Sequence, residues 1–158
     1  MKNTLRKRNA LLIAAAMALA GLSLQSCYDD GWYPEPPYGW YDTFYDGRLT
    51  GYWQLDEVNS QPVGPANVDY LYFNGDGRGI YYYWDRGVKY WENTAYWCQQ
   101  SNGAGASAYQ INLQYQTSGS PTTMNYWFTN GNRELWMQWR NAYGVQTYIY
   151  RPIPGPPW

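Results

Sequence analysis

The chain reads as an all-β protein: a single antiparallel eight-stranded up-and-down β-barrel, preceded by an export leader and an extended linker. Three observations predict this. Between Leu49 and Arg151, eight strand-like runs alternate with turn chemistry, at about 49–58, 68–73, 78–84, 88–99, 107–115, 123–129, 134–139 and 145–151. The separators are rich in Asn, Asp, Gly and Ser, as in Asn74-Gly75-Asp76-Gly77, Asp85-Arg86-Gly87 and Asn130-Gly131-Asn132. No window of eleven residues carries a helical apolar stripe. Short strands joined by tight turns favour neighbouring antiparallel pairs, and eight of them can close into a ring without edges. An open sandwich of the same strands is the alternative.

The amino terminus precedes this domain in kind as well as in order. Lys2, Arg6, Lys7 and Arg8 form a positive region, and an apolar run follows from Ala10 to Leu22. That is a secretory layout, and the run is short for a membrane span. Leu24-Gln25-Ser26-Cys27 resembles a lipobox. The resemblance implies acylation of Cys27 (palmitate being a typical chain) and removal of residues 1–26 as a lipoprotein signal peptide. It thus implies a lipid anchor in a bacterial membrane. Tyr28, rather than aspartate, follows the cysteine, which resembles chains sent to the outer membrane. Asp29 and Asp30 follow directly, and an acidic pair there resembles the surface-export signal of some bacterial lipoproteins, so the domain is expected to face the periplasm or the cell surface.

Residues 27–48 are expected to form a linker rich in Pro, Tyr and Trp. Pro34, Pro36 and Pro37 favour extended geometry and cannot donate ladder bonds. Residues 49–151 are the barrel domain, and 152–158 a Pro-rich tail.

Alternation assigns the faces. Tyr109, Ile111, Leu113 and Tyr115 point inward on the fifth run, and Gln110, Asn112 and Gln114 outward. By the same rule Met124, Tyr126, Phe128, Leu135, Met137, Trp139, Val145, Thr147 and Ile149 point inward. Phe128 is expected opposite Leu135, and Trp139 opposite Val145. These registers place Asn112, Trp127, Trp136 and Tyr148 in one outward row. A slip of one residue would reverse any of these sets.

The first strand contains Gly51-Tyr52-Trp53. Gly-x-Trp on the first strand of an eight-stranded meander resembles the signature of lipocalins and the wider calycin group. Leu71-Tyr72-Phe73-Asn74-Gly75-Asp76-Gly77 is similar to short lipocalin-like domains of bacterial lipoproteins. The resemblance implies that Trp53 packs across the closed end of the barrel against an arginine near the last strand, for which Arg151 is the match. It also implies a non-catalytic binding protein. An eight-stranded barrel is filled by its own side chains or holds one small ligand. Tyr109, Leu113, Tyr126, Met137 and Thr147 are the candidate lining of an interior pocket for an apolar or aromatic ligand. The outward row Asn112, Trp127, Trp136 and Tyr148 is the candidate contact for a surface glycan or an envelope protein. A purely structural role with a filled barrel is the third reading.

Composition narrows the chemistry. After Cys27 the chain holds all 19 Tyr and 10 Trp, which favour strands and flat contacts. Seven Lys and Arg stand there against twelve Asp and Glu, a formal charge of −5, which argues against nucleic acid as a partner. There is no His, so His-based acid–base catalysis and His metal ligation are ruled out. With Cys27 acylated, Cys98 is the one thiol and reads as a small buried hydrophobe. Among the carboxylates, Asp56, Glu57, Glu92 and Glu134 form no pair suited to glycoside chemistry. Asp69, Asp76 and Asp85 read as turn residues. No nucleophile sits beside a base, so neither enzyme activity nor a cofactor or metal is expected. Cys27→Ser should abolish incorporation of radiolabelled palmitate in growing cells and leave the leader uncleaved. Unchanged labelling would overturn the lipobox reading.

Overall fold

The computed structural model describes residues 43–66, 68–100 and 109–158. Ten strands form one sheet: β1 (Thr43–Phe44), β2 (Gly51–Val58), β3 (Gln61–Pro62), β4 (Tyr70–Phe73), β5 (Arg78–Asp85), β6 (Val88–Gln100), β7 (Tyr109–Tyr115), β8 (Thr122–Thr129), β9 (Glu134–Asn141) and β10 (Gly144–Ile153). Eight of them close a barrel. Each of β4 to β10 pairs antiparallel with the next, and β2 pairs with both β4 and β10. The sheet is therefore closed and up-and-down, not an open sandwich. Its strands are steeply staggered. Trp53 lies opposite Leu71 on one side and opposite Pro152, near the end of β10, on the other. The two small strands lie outside the ring, β3 beside β2 and β1 beside the C-terminal part of β6. The leader, Cys27, residues 28–42 and the turn Ser101-Asn102-Gly103 lie outside the described residues.

Tight turns set the pairings. Arg86 and Gly87 take positive φ, which suits a two-residue hairpin between Asp85 and Val88. Between β9 and β10 the loop is also two residues, Ala142 and Tyr143, because Asn141 pairs Gly144. The Asn141 side chain accepts from the Tyr143 amide at 2.8 Å and shapes this turn. Gly51 has a φ of +126°, a conformation L side chains rarely adopt, so the glycine of Gly-x-Trp is there for its backbone.

The inward faces merge into one core. Leu55, Leu71, Phe73, Ile111, Leu113, Leu135 and Met137 fill its middle and are at most 5% exposed. One end is closed by the segment before β2. A 3-10 turn (Gly47–Leu49) follows Asp46, whose side chain caps it. Leu49 is wholly buried, and its carbonyl accepts from Trp53 Nε1 at 2.7 Å. The Asp46 carboxylate accepts from the Arg48 amide, Nε and Nη2, and from the Tyr126 hydroxyl at 3.0 Å. Burial alone would push this carboxyl up, but those hydrogen bonds and the Arg48 charge together hold it below the ordinary aspartate value. The expected linker over 43–48 is thus part of the barrel's end. The tail 152–158 also differs from expectation. β10 runs to Ile153, and Trp158 packs edge-on against Tyr70, Tyr82 and Trp84 on the outer face.

Asp46→Ala removes the cap and leaves Arg48 and Tyr126 without their acceptor. It should cost about 2–3 kcal/mol in chemical denaturation. A group whose folded pKa is lowered stabilises above its unfolded pKa and loses that contribution in acid. The cost should therefore hold at neutral pH and shrink as pH falls below the 3.8 of an ordinary aspartate.

Candidate functional site

At the closed end the interior is fully committed. Tyr126 is tied to Asp46, and Cys98 is wholly buried with its thiol pushed up to about 11, first of all by burial. Such a thiol is a packing group and not a nucleophile. The opposite end differs. There the inward residues Val58, Val63, Tyr81, Tyr115, Trp139 and Tyr148 are only partly buried while still packing on the core. We call this end the mouth.

The Asp69 carboxylate faces into it. Asp69 immediately precedes β4 and continues its inward alternation with Leu71 and Phe73, and its carbonyl accepts from the Leu55 amide at 2.9 Å. The Tyr81 hydroxyl donates to Asp69 Oδ2 at 2.7 Å. Tyr115, Tyr148 and Tyr150 lie close enough to feel its charge. Burial, and then that charge, raise the pKa values of Tyr81 and Tyr148. Burial is likewise the first cause for Tyr115 and Tyr150, so all four phenols stay neutral donors. Burial also raises the Asp69 carboxyl above the usual aspartate value, against the opposing hydrogen bond from Tyr81.

Rings build the walls. Tyr81 stacks on Tyr83 at 5.1 Å, and Tyr83 stacks on Tyr90 at 5.5 Å. Tyr115 meets Tyr81 edge-on at 5.2 Å. β4 begins opposite Tyr82, and β7 ends opposite Thr94. The segment from Tyr83 to Trp91 therefore rises past the barrel rim as a two-stranded hairpin, with Tyr83 and Tyr90 on its inner side. Its outer side is braced by Trp158, which meets Trp84, while Lys89 Nζ lies 5.0 Å from the Trp158 ring. Glu92 shares the inner parity opposite Tyr81, and its Oε2 accepts from the Thr117 amide and hydroxyl.

The residues proposed from sequence do not assemble as one site. Leu113 and Met137 lie in the middle of the core, Tyr126 at the closed end, and Tyr109 at that end's rim under Arg48. Thr147 is not inside. The two-residue turn sets Trp139 opposite Gln146, not Val145, so Gln146, Tyr148 and Tyr150 face inward while Val145, Thr147 and Ile149 face out. Tyr148 accordingly leaves the outer row, where Ile149 stands beside Trp136. Asn112 leaves it too. It pairs with Thr123, four residues from Trp127, because the longer loop between β7 and β8 does not dictate a register. It is also wholly buried and accepts from Thr123 Oγ1 at 2.6 Å. What remains is a stacked pair, Trp127 on Trp136, directly opposite each other with ring centres 5.7 Å apart.

The expected stack of Trp53 on Arg151 is absent as well. Arg151 alternates with inward Tyr150 and so faces outside, 3.2 Å from Asp56 and 3.9 Å from Glu134. Asp56 is the extra residue of a bulge, since Ile149 pairs Glu57 and Tyr150 pairs Leu55. The cation of the closed end is Arg48, with its guanidinium 4.7 Å from the Phe128 ring that packs on Trp53. Arg151 instead lines a shallow outer cavity of about 390 Å³ with Asn130, Arg133, Glu134 and Pro152.

Sequence reasoning missed Asp69 by reading it as a turn residue. The signal was available, because period-two alternation through Leu71 and Phe73 sets Asp69 on the inner face. No family model, curated protein or solved structure matches the chain.

For an acid whose folded pKa is raised, the folded state holds its proton more tightly, so stability falls as pH rises through that window. Asp69→Asn keeps an acceptor for Tyr81 without the charge. It should therefore match or exceed wild-type stability at pH 7 in thermal unfolding, with the difference shrinking towards pH 4. A marked loss at pH 7 would mean that the charge is structural.

Proposed function

We propose that this is a lipid-anchored, non-catalytic binding protein of the bacterial envelope, a lipocalin-like barrel that holds a small ligand at its mouth. The observation that supports this most is the inward Asp69 among Tyr81, Tyr115, Tyr148 and Tyr150, beneath the projecting hairpin. Buried polar groups cost stability unless they are partnered, and a half-buried carboxylate inside a barrel is most readily explained by use. The ligand site is thus moved from the barrel's centre to its rim, since Leu113 and Met137 are already packed. The leader and Cys27 support attachment to the outer membrane by acyl chains, each buried methylene contributing about 0.8 kcal/mol.

A second reading has one observation in its favour. Trp91 is 60% exposed on the outer face, directly opposite the buried Tyr82 and in one row with Tyr70. An aromatic row of this kind suits a glycan or an envelope protein. Titration of the full chain with the aromatic probe N-phenyl-1-naphthylamine separates the two. Saturable one-to-one binding, weakened about fivefold or more by Tyr83→Ala and untouched by Trp91→Ala, is expected for a site at the mouth. The reverse pattern would favour the outer face, and no saturable binding would sink the ligand reading.

A further inference from the structure

We propose that the mouth takes a compact organic cation, a substituted or quaternary ammonium group seated between the Asp69 carboxylate and the faces of the surrounding tyrosines. This rests on the reading above that the mouth holds a small ligand, and it names the chemistry that ligand must have.

The charges point to it first. Among the described residues, Asp46, Asp56, Asp76, Asp85 and Glu134 each lie beside an arginine. Among these residues no Lys or Arg pairs with Asp69, which receives one hydrogen bond, from Tyr81. A carboxylate has room for about four, so a ligand can still donate to it. The nearby cations are turned away. Lys89 lies against Trp84 and Trp158 on the outer side of the hairpin, and Arg140 follows inward Trp139 and is exposed. Glu92, on the inner side opposite Tyr81, adds a second negative charge to the same end.

The walls point the same way. The Tyr81 and Tyr115 rings meet at 69°, making a corner of two aromatic surfaces, and Tyr83 extends the Tyr81 side as a parallel stack. Neutral phenol rings carry negative potential on their faces and attract alkylammonium groups. A purely apolar ligand would instead seal the carboxylate away from water with no compensating charge. An anion would be repelled by Asp69 and Glu92. Depth sets the size, because Leu55, Leu71, Leu113 and Met137 already fill the barrel below, and an occupant must be short.

Calorimetric titration tests this on the full chain, purified in a maltoside detergent, which carries no ammonium group. The probes are choline and its neutral isostere 3,3-dimethylbutan-1-ol. Choline should bind one-to-one and at least tenfold more tightly than the alcohol. Asp69→Asn should weaken choline at least tenfold and leave the alcohol unchanged. Tyr83→Leu, at the projecting hairpin, should weaken choline severalfold with the fold intact by near-ultraviolet circular dichroism. Equal binding of the two probes, insensitive to Asp69→Asn, would overturn the cation assignment while keeping the mouth as a ligand site. Binding of neither probe to folded protein, together with no saturable binding of the naphthylamine, would overturn both.

Discussion

Closure of the sheet is the constraint from which the rest of the molecule follows. Once β2 pairs with β10 and β6 with β7, the ring has no free edge, and every strand commits alternate residues to one shared interior. That interior is finite and must be packed to the density of a solid. Large groups such as Trp53, Tyr96 and Tyr126 occupy one end, and Phe73 with Leu and Met side chains occupies the middle. Tyr81, Tyr115, Tyr148 and the inward Asp69 are left for the other end. The polarity of the mouth is therefore a consequence of where the strands' alternation places bulk.

The two ends handle a buried carboxylate in opposite ways. Asp46 is capped by three groups of Arg48 and by Tyr126, and its charge is satisfied within the chain. That cluster holds the N-terminal segment over the barrel, with Arg48 lying on Phe128. Among the described residues, Asp69 has a single phenolic donor and no cation. The carboxylate at the closed end is thus paired with a cation and the one at the mouth is held by a phenol.

The chain beyond the barrel serves the mouth as well. The β5–β6 hairpin outruns its neighbours, and a two-stranded projection is marginal without support. Trp158 supplies that support from the carboxyl terminus, meeting Tyr82 and Trp84 edge-on. The inner side of the hairpin is thereby held in line with Tyr81, and the aromatic wall continues above the rim.

The sequence by itself determined the class of structure and most of its strands. The turns and the alternation through Ile111, Leu113, Tyr126 and Met137 are local signals, and the pairing of Phe128 with Leu135 follows from a short connection. The face of β10 was not legible in this way. It hinges on whether the β9–β10 loop is the two residues 142–143 or the three residues 141–143, and that one residue exchanges Tyr148 and Tyr150 for Thr147 and Ile149. The site was less legible still. Tyr81, Tyr115 and Tyr148 come from three strands, β5, β7 and β10, with Asp69 just ahead of β4, and only barrel closure and stagger bring them to one rim. Alternation along a strand says which face a residue takes. It cannot say which residues of other strands share its height, because height is set by registers summed around the whole ring.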